Sequence, residues 1–255
     1  MSAPPRTALS RGDATDLAGS TAVGSTVAFV LLTLILTGRD GAPVFGDANL
    51  TSWSVAHRPD VALAVARGVT YTGTGIVPYA LAAVAGLILG RTARQRLLAV
   101  TACLGTLAAA QAVRYEVMSL VARSRPATVD WATHASGWSF PSGHTTTSAV
   151  TGGLLILAVL ARSPRGRTSL VLVIGSWSVL VGLSRVYLGV HWFSDVLGGW
   201  LFSLCWLSLC TYAVARLTPH AYSAISAPRL RPDPTTEERR HEPHTQGEVP
   251  PDSAP

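Results

Sequence analysis

The sequence contains no lysine: all 20 of its basic residues are arginine, so no site in it can rest on a lysine ammonium. Charge of any kind is scarce, at 13% of 255 residues against 48% hydrophobic, which points away from an ordinary soluble protein. Cysteine is limited to Cys103, Cys205 and Cys210. All three lie in apolar segments, where they read as small buried hydrophobes and offer neither a disulfide framework nor metal-ligand spacing. There is no internal repeat, no heptad pattern, no glycine-rich nucleotide loop and no clustered carboxylate and histidine set suited to a metal. The net charge of +6 would favour nucleic acid in a soluble protein, but here the arginines sit mainly in loops and motifs. Membrane topology explains them better.

What the chain does have is long apolar runs, with a mean hydropathy of +0.34. They predict an all-α, polytopic bundle of six transmembrane helices at residues 21–37, 68–90, 97–121, 144–161, 168–183 and about 192–216. Pro78 is tolerable inside the second span because neighbouring groups can satisfy the freed carbonyl. Residues 1–20 read as a disordered cytoplasmic start, 38–65 as a polar loop, and 217–255, rich in Pro, Thr, Glu and Arg, as a disordered cytoplasmic tail. The membrane domain is then residues 21–216. Two arginine triplets, Arg91, Arg94, Arg96 and Arg162, Arg165, Arg167, mark the cytoplasmic side and put both ends of the chain there. Residues 122–140 and 184–191 fall together on the outer face, with Trp53, Trp131, Trp138 and Trp192 as an interfacial belt. Arg123, Arg125 and Arg185 break the charge rule on that face, which points to an anion site.

The stretch SRVYLGVHWFSD, residues 184–195, sets an arginine, a histidine and an aspartate beside a membrane segment, where charge is costly and usually functional. Arg185 can bind a phosphate through its planar fork, His191 can act as a nucleophile, and Asp195 can orient that histidine. Their spacing of four lets one helix face carry His191 and Asp195. Each residue alone has a plainer reading: His144 as a satisfied polar residue at a helix start, Arg125 as a snorkelling anchor, Arg123 as a loop anchor, and His191 with Asp195 as a structural pair.

Taken together the motifs resemble those of the type-2 phosphatidic acid phosphatase family, membrane enzymes that dephosphorylate lipid phosphates. The Ser-Arg, five residues, His, three residues, Asp spacing at 184–195 is similar to its third motif, and Pro-Ser-Gly-His at 141–144 to its second. Of the first motif, Arg125 and Pro126 are present, but Met118 stands at the lysine position. The resemblance covers roughly residues 70–215.

It implies metal-independent hydrolysis of a lipid phosphate or diphosphate at the outer face, with no cofactor and no nucleic-acid partner. His191 would attack phosphorus to give a phosphohistidine and Asp195 would hold the proton on its other nitrogen. His144 would protonate the leaving group and then activate water. Arg185, Arg125 and Arg123, with backbone N–H groups near Ser142 and Gly143, would bind the phosphate. Polyprenyl diphosphate, phosphatidic acid and phosphatidylglycerophosphate are the substrate classes implied. A lipid phosphotransferase is the alternative enzyme; Met118 motivates a catalytically silent lipid-phosphate binder; a transporter fits poorly, since the charges gather at one face. Arg114, one helical turn before Met118 and about 6 Å deeper, could reach back toward the site or pair with Glu116.

Overall fold

The chain is described by a computed structural model covering residues 11–44, 46–162 and 167–217. Eight α-helices follow in order: α1 (Arg11–Thr37), α2 (Asp47–Ala56), α3 (Asp60–Thr72), α4 (Ile76–Leu89), α5 (Ala93–Val121), α6 (Gly143–Arg162), α7 (Arg167–Tyr187) and α8 (Phe193–Leu217). A 3-10 turn at Thr128–Asp130 interrupts the loop between α5 and α6. No strand occurs among the described residues. Five helices, α1 and α5 to α8, are long and apolar enough to cross a membrane. Counted as one broken span, the pair α3 and α4, bent by 52° at their junction, makes a sixth. The protein is a multi-pass membrane protein.

Three expectations change. α1 begins at Arg11, so the stretch expected to be disordered is helical from residue 11; residues 1–10 and 218–255, including the expected tail, lie outside the described residues, as does Arg165. The supposed polar loop 38–65 contains α2 and the start of α3. The second span breaks at Gly73–Gly75, where two glycines flank Thr74, and Pro78 sits buried within α4. Pro78 lies in the first turn of that helix, where its missing N–H costs nothing.

α6 is the central element, packing against α4, α5, α7 and α8, while α1 lies along α8. Its buried face is mostly small and polar, with Thr145, Thr146, Thr147, Ser148, Thr151 and Gly152. Hydroxyls turned back onto their own helix let such a helix sit inside: Thr146 donates to the Ser142 carbonyl (3.0 Å) and Thr147 to that of Gly143 (2.7 Å). Because lipid is as apolar as leucine, close packing of small residues holds membrane helices together. Gly86 on α4 illustrates it, since a Cβ there would meet the Val100 backbone of α5 at 2.5 Å. Large apolar side chains such as Val27, Leu31 and Leu34 instead face outward, as in a bundle solvated by lipid.

Successive spans alternate in direction, so the loops 38–59, 122–142 and 188–192 meet at one end of the bundle. Arg58 ties them there, donating from Nε to the Tyr187 carbonyl (3.0 Å) and from Nη1 to that of Asp130 (2.7 Å).

Candidate active site

His191 lies in the turn between α7 and α8, and Asp195 in the first turn of α8. The two therefore do not share a helix face as the spacing implied; they meet across the helix start. The Asp195 carboxylate accepts from the Trp192 N–H through Oδ2 (2.9 Å), satisfying a donor just ahead of the helix in the manner of half a capping box. The same oxygen stands 3.3 Å from His191 Nδ1. On the opposite side of the ring, Arg125 Nη1 donates to Nε2 at 2.9 Å. A guanidinium has no acceptor, so the ring proton belongs on Nδ1 and the lone pair on Nε2. Burial first, then the charges of Arg125 and Arg185, push the His191 pKa well below its ordinary value. His191 is a buried, neutral imidazole of fixed tautomer.

Further residues gather near this ring: His144, at the second position of α6, sits among the charges of Arg185, His191, Arg125 and Arg114. Arg185, at the end of α7, is buried to 2% exposure; its Nη1 donates to Thr70 Oγ1 of α3 (3.0 Å), and its buried Nε has no hydrogen-bond partner among the described residues. A buried guanidinium N–H without an acceptor is costly, and an anion would supply the acceptor. Arg125 also ties the loops, donating to the carbonyls of Gly137 (2.9 Å), Ser136 (2.8 Å), Trp138 (3.0 Å) and Val190 (2.7 Å).

Ser142 is buried, but its N–H is taken by the Asp195 carbonyl (3.1 Å) and its Oγ accepts from Thr145 Oγ1 (2.9 Å). It locks the start of α6 to α8. Free N–H groups at this end begin with Gly143 and His144, which head α6 and have no intrahelical partner.

Arg123 departs most from expectation. It is fully buried, and its guanidinium is consumed by protein: Nε donates to the Gly41 carbonyl (3.0 Å), Nη1 to Asp195 Oδ1 (2.6 Å) and Ser194 Oγ (2.7 Å), Nη2 to Asp47 Oδ2 (2.9 Å) and the Ala42 carbonyl (3.3 Å). No donor remains for a phosphate. Arg123 instead holds the face of Asp195 turned away from His191. Its second carboxylate, Asp47, escaped sequence reasoning. Asp47 opens α2, is buried, and also accepts from the Ser194 N–H (2.9 Å) and Oγ (2.6 Å). A lone acid in a polar stretch 76 residues before its arginine gives no local signal. Thr70, the support of Arg185, is equally silent.

Residues 99–219 match the model of the PAP2 superfamily. The chain is 39% identical over 74 residues to phosphatidylglycerophosphatase B of Bacillus subtilis (28% of this chain, 36% of that protein). It is 38% identical over 85 residues to undecaprenyl-diphosphatase of Sulfolobus acidocaldarius (32% and 36%), and 36% identical over 90 residues to phosphatidylglycerophosphatase B of Escherichia coli (34% of each). The matched stretches thus span about a third of these relatives' lengths. In three dimensions the chain is similar to the crystal structure of a transmembrane PAP2-type phosphatidylglycerolphosphate phosphatase from Bacillus subtilis, with a TM-score of 0.62 and 22% identity over 83% of this chain and 99% of that one. The stretch that matches the PAP2 superfamily model contains both histidines and the aspartate of the site, and the fold is similar to that of the solved PAP2-type phosphatase.

Proposed function

We propose that the protein is an integral-membrane phosphatase that hydrolyses a lipid phosphate or diphosphate at the extracytoplasmic face, through a phosphohistidine and without a metal. The observation that carries this reading is the setting of His191, with Nδ1 against Asp195 and the Nε2 lone pair directed to the side where Arg125 and Arg185 concentrate positive charge.

Nε2 attacks phosphorus in line with the departing lipid oxygen, forming the N–P bond as the P–O bond breaks. The Nδ1–H charge that develops is balanced by Asp195. His144 gives its proton to the leaving oxygen, then takes one from the water that attacks the phosphohistidine and releases phosphate. Arg185 binds equatorial oxygens through its unpartnered Nε, and Arg125 exchanges its bond to Nε2 for a phosphoryl oxygen. The N–H groups of Gly143 and His144 add the N-terminal field of α6. The arginines supply the positive charge that magnesium supplies in many phosphoryl-transfer enzymes.

The names of the matched relatives favour phosphatidylglycerophosphate and polyprenyl diphosphates as substrates, ahead of phosphatidic acid. Outward orientation is supported by the arginine clusters that flank α4, α5 and α6 at the end opposite the site. The test of the substrate class is phosphate release by purified protein from each of the three lipids, with Arg185→Ala as control. Preference for one lipid that disappears with Arg185→Ala is expected, and equal rates from parent and variant would refute the assignment.

A further inference from the structure

Met118 removes the cation that the first motif of the resembling family carries, and the chain has no lysine to place elsewhere. One turn deeper on α5, however, lies Arg114, a guanidinium buried to 5% exposure with no carboxylate partner among the described residues. Glu116 is exposed and does not pair with it. Arg114 makes only neutral contacts: Nε donates to Gln111 Oε1 (3.0 Å), Nη1 points to Met118 Sδ (3.5 Å), and Cζ stands 4.0 Å from the centre of the Tyr115 ring. Thioether sulfur is a weak acceptor, so this buried cation is held by neutral groups with no anion against it among the described residues.

Its position is defined by the second motif. A Cβ on Gly143 would stand 3.3 Å from both Cζ and Nη1 of Arg114, so the guanidinium rests against the bare Cα at the head of α6. A side chain at 143 would press on the guanidinium, which would have to shift by a few tenths of an ångström. A chain of hydrogen bonds fixes the placement: Arg114 Nε to Gln111, Gln111 Nε2 to Thr147 Oγ1 (2.5 Å), and Thr147 Oγ1 to the Gly143 carbonyl (2.7 Å). The guanidinium thereby lies against the head of α6, and its charge acts on His144.

We propose that Arg114 is a phosphate-binding residue of this site, reaching it from one turn below the position where Met118 stands, with Met118 and Gln111 holding the guanidinium against Gly143. The proposal rests on the phosphatase reading for its substrate, though not for its binding claim. Arg114 and Met118 form a pair: the long side chain rises from deeper in the helix, and the unbranched, flexible Met118 yields the volume and cushions it. A lysine at 118 would set a second cation beside Arg114.

The test compares full-length parent, Arg114→Ala, Arg114→Gln and Arg114→Ala/Met118→Lys in detergent. Affinity for inorganic phosphate is read by calorimetry, kcat and KM by phosphate release, and folding by thermal unfolding. Loss of one charge-assisted contact weakens phosphate binding by about ten- to a hundredfold in the folded single variants. Met118→Lys on the Arg114→Ala background restores most of it. Unchanged phosphate affinity in a folded Arg114 variant overturns the proposal, and so does a double variant that folds but regains nothing. If the parent binds phosphate through Arg114 yet hydrolyses no lipid, the phosphatase reading fails and the site assignment stands. If the parent hydrolyses lipid and both single variants match it in KM and phosphate affinity, the reverse holds. Arg114→Gln keeps the hydrogen bonding of the side chain, so it serves should Arg114→Ala not fold.

Discussion

A neutral imidazole held between a carboxylate and a guanidinium can carry its proton only on the carboxylate side, and that constraint shapes what His191 does in this protein. Its pKa is pushed down, by burial first and by Arg125 and Arg185 next. The sign of the linkage follows. In the unfolded chain the ring titrates near the ordinary 6.5, while in the folded chain it titrates lower. The stability contributed by the neutral ring is complete above 6.5 and is lost as pH falls below it toward the folded value. Thermal unfolding followed from about pH 7.5 down to about pH 5 is expected to show a fall in parent stability that is shallower in His191→Gln. Equal slopes would mean that the buried ring is not neutral. The same depression keeps Nε2 unprotonated in mildly acidic solution, so the acid limb of phosphate release falls below 6.5. Arg185 acts at this scale too. Removing its unpartnered donor with Arg185→Ala lowers kcat/KM by about 10²–10³, as loss of one preorganised donor does elsewhere, with little change in thermal stability.

At the scale of elements, the site is the junction of three loops, and its least expected part is α2. This short helix is polar enough to read as loop, yet its first residue anchors Arg123, which in turn fixes Asp195 behind His191. Asp47 and Arg123 are fully buried as a pair. Taking away Asp47 leaves Nη2 of Arg123 and the Ser194 donors without their carboxylate while Asp195 still pairs with Nη1, so Asp47→Ala is expected to destabilise the protein by about 1–3 kcal/mol, read as a lowered Tm in detergent. Arg123→Ala likewise loses stability, whereas its KM stays near that of the parent wherever it folds. A variant with parental Tm and a raised KM would return Arg123 to phosphate binding. The bend between α3 and α4 belongs to the same scale. It brings Thr70 beneath Arg185 while α4 turns away to pack on α5 and α6.

Across the whole molecule, the five long spans were legible because long apolar runs have few alternatives, and their order placed the loops at one end. His144, His191, Asp195, Arg125 and Arg185 were legible because each sits in a short motif whose parts are local. Asp47, Thr70 and Gln111 were not, since their partners lie 147, 115 and 36 residues away and only folding brings them together. Arg123 was misread for the same reason: its charge is visible in sequence, while the two carboxylates that consume it are not. The break in the second crossing was not expected: Pro78 was read as tolerable within a continuous span, and it is harmless in a first helical turn, while the paired glycines that mark the break were the weaker-looking signal. Orientation is testable at this scale. A cysteine placed by Val129→Cys, in the exposed loop between α5 and α6, should react with a membrane-impermeant thiol reagent added outside intact cells, and protection there would invert the topology.

The central claim is that His191 carries the phosphoryl group in a metal-independent reaction. Its most direct measurement is phosphate release from phosphatidylglycerophosphate and a polyprenyl diphosphate by purified protein in EDTA, parent against His191→Ala. Release by the parent from at least one lipid, abolished in a variant that still folds, is the predicted result. Release that persists in His191→Ala, or none from a well-folded parent, would contradict it.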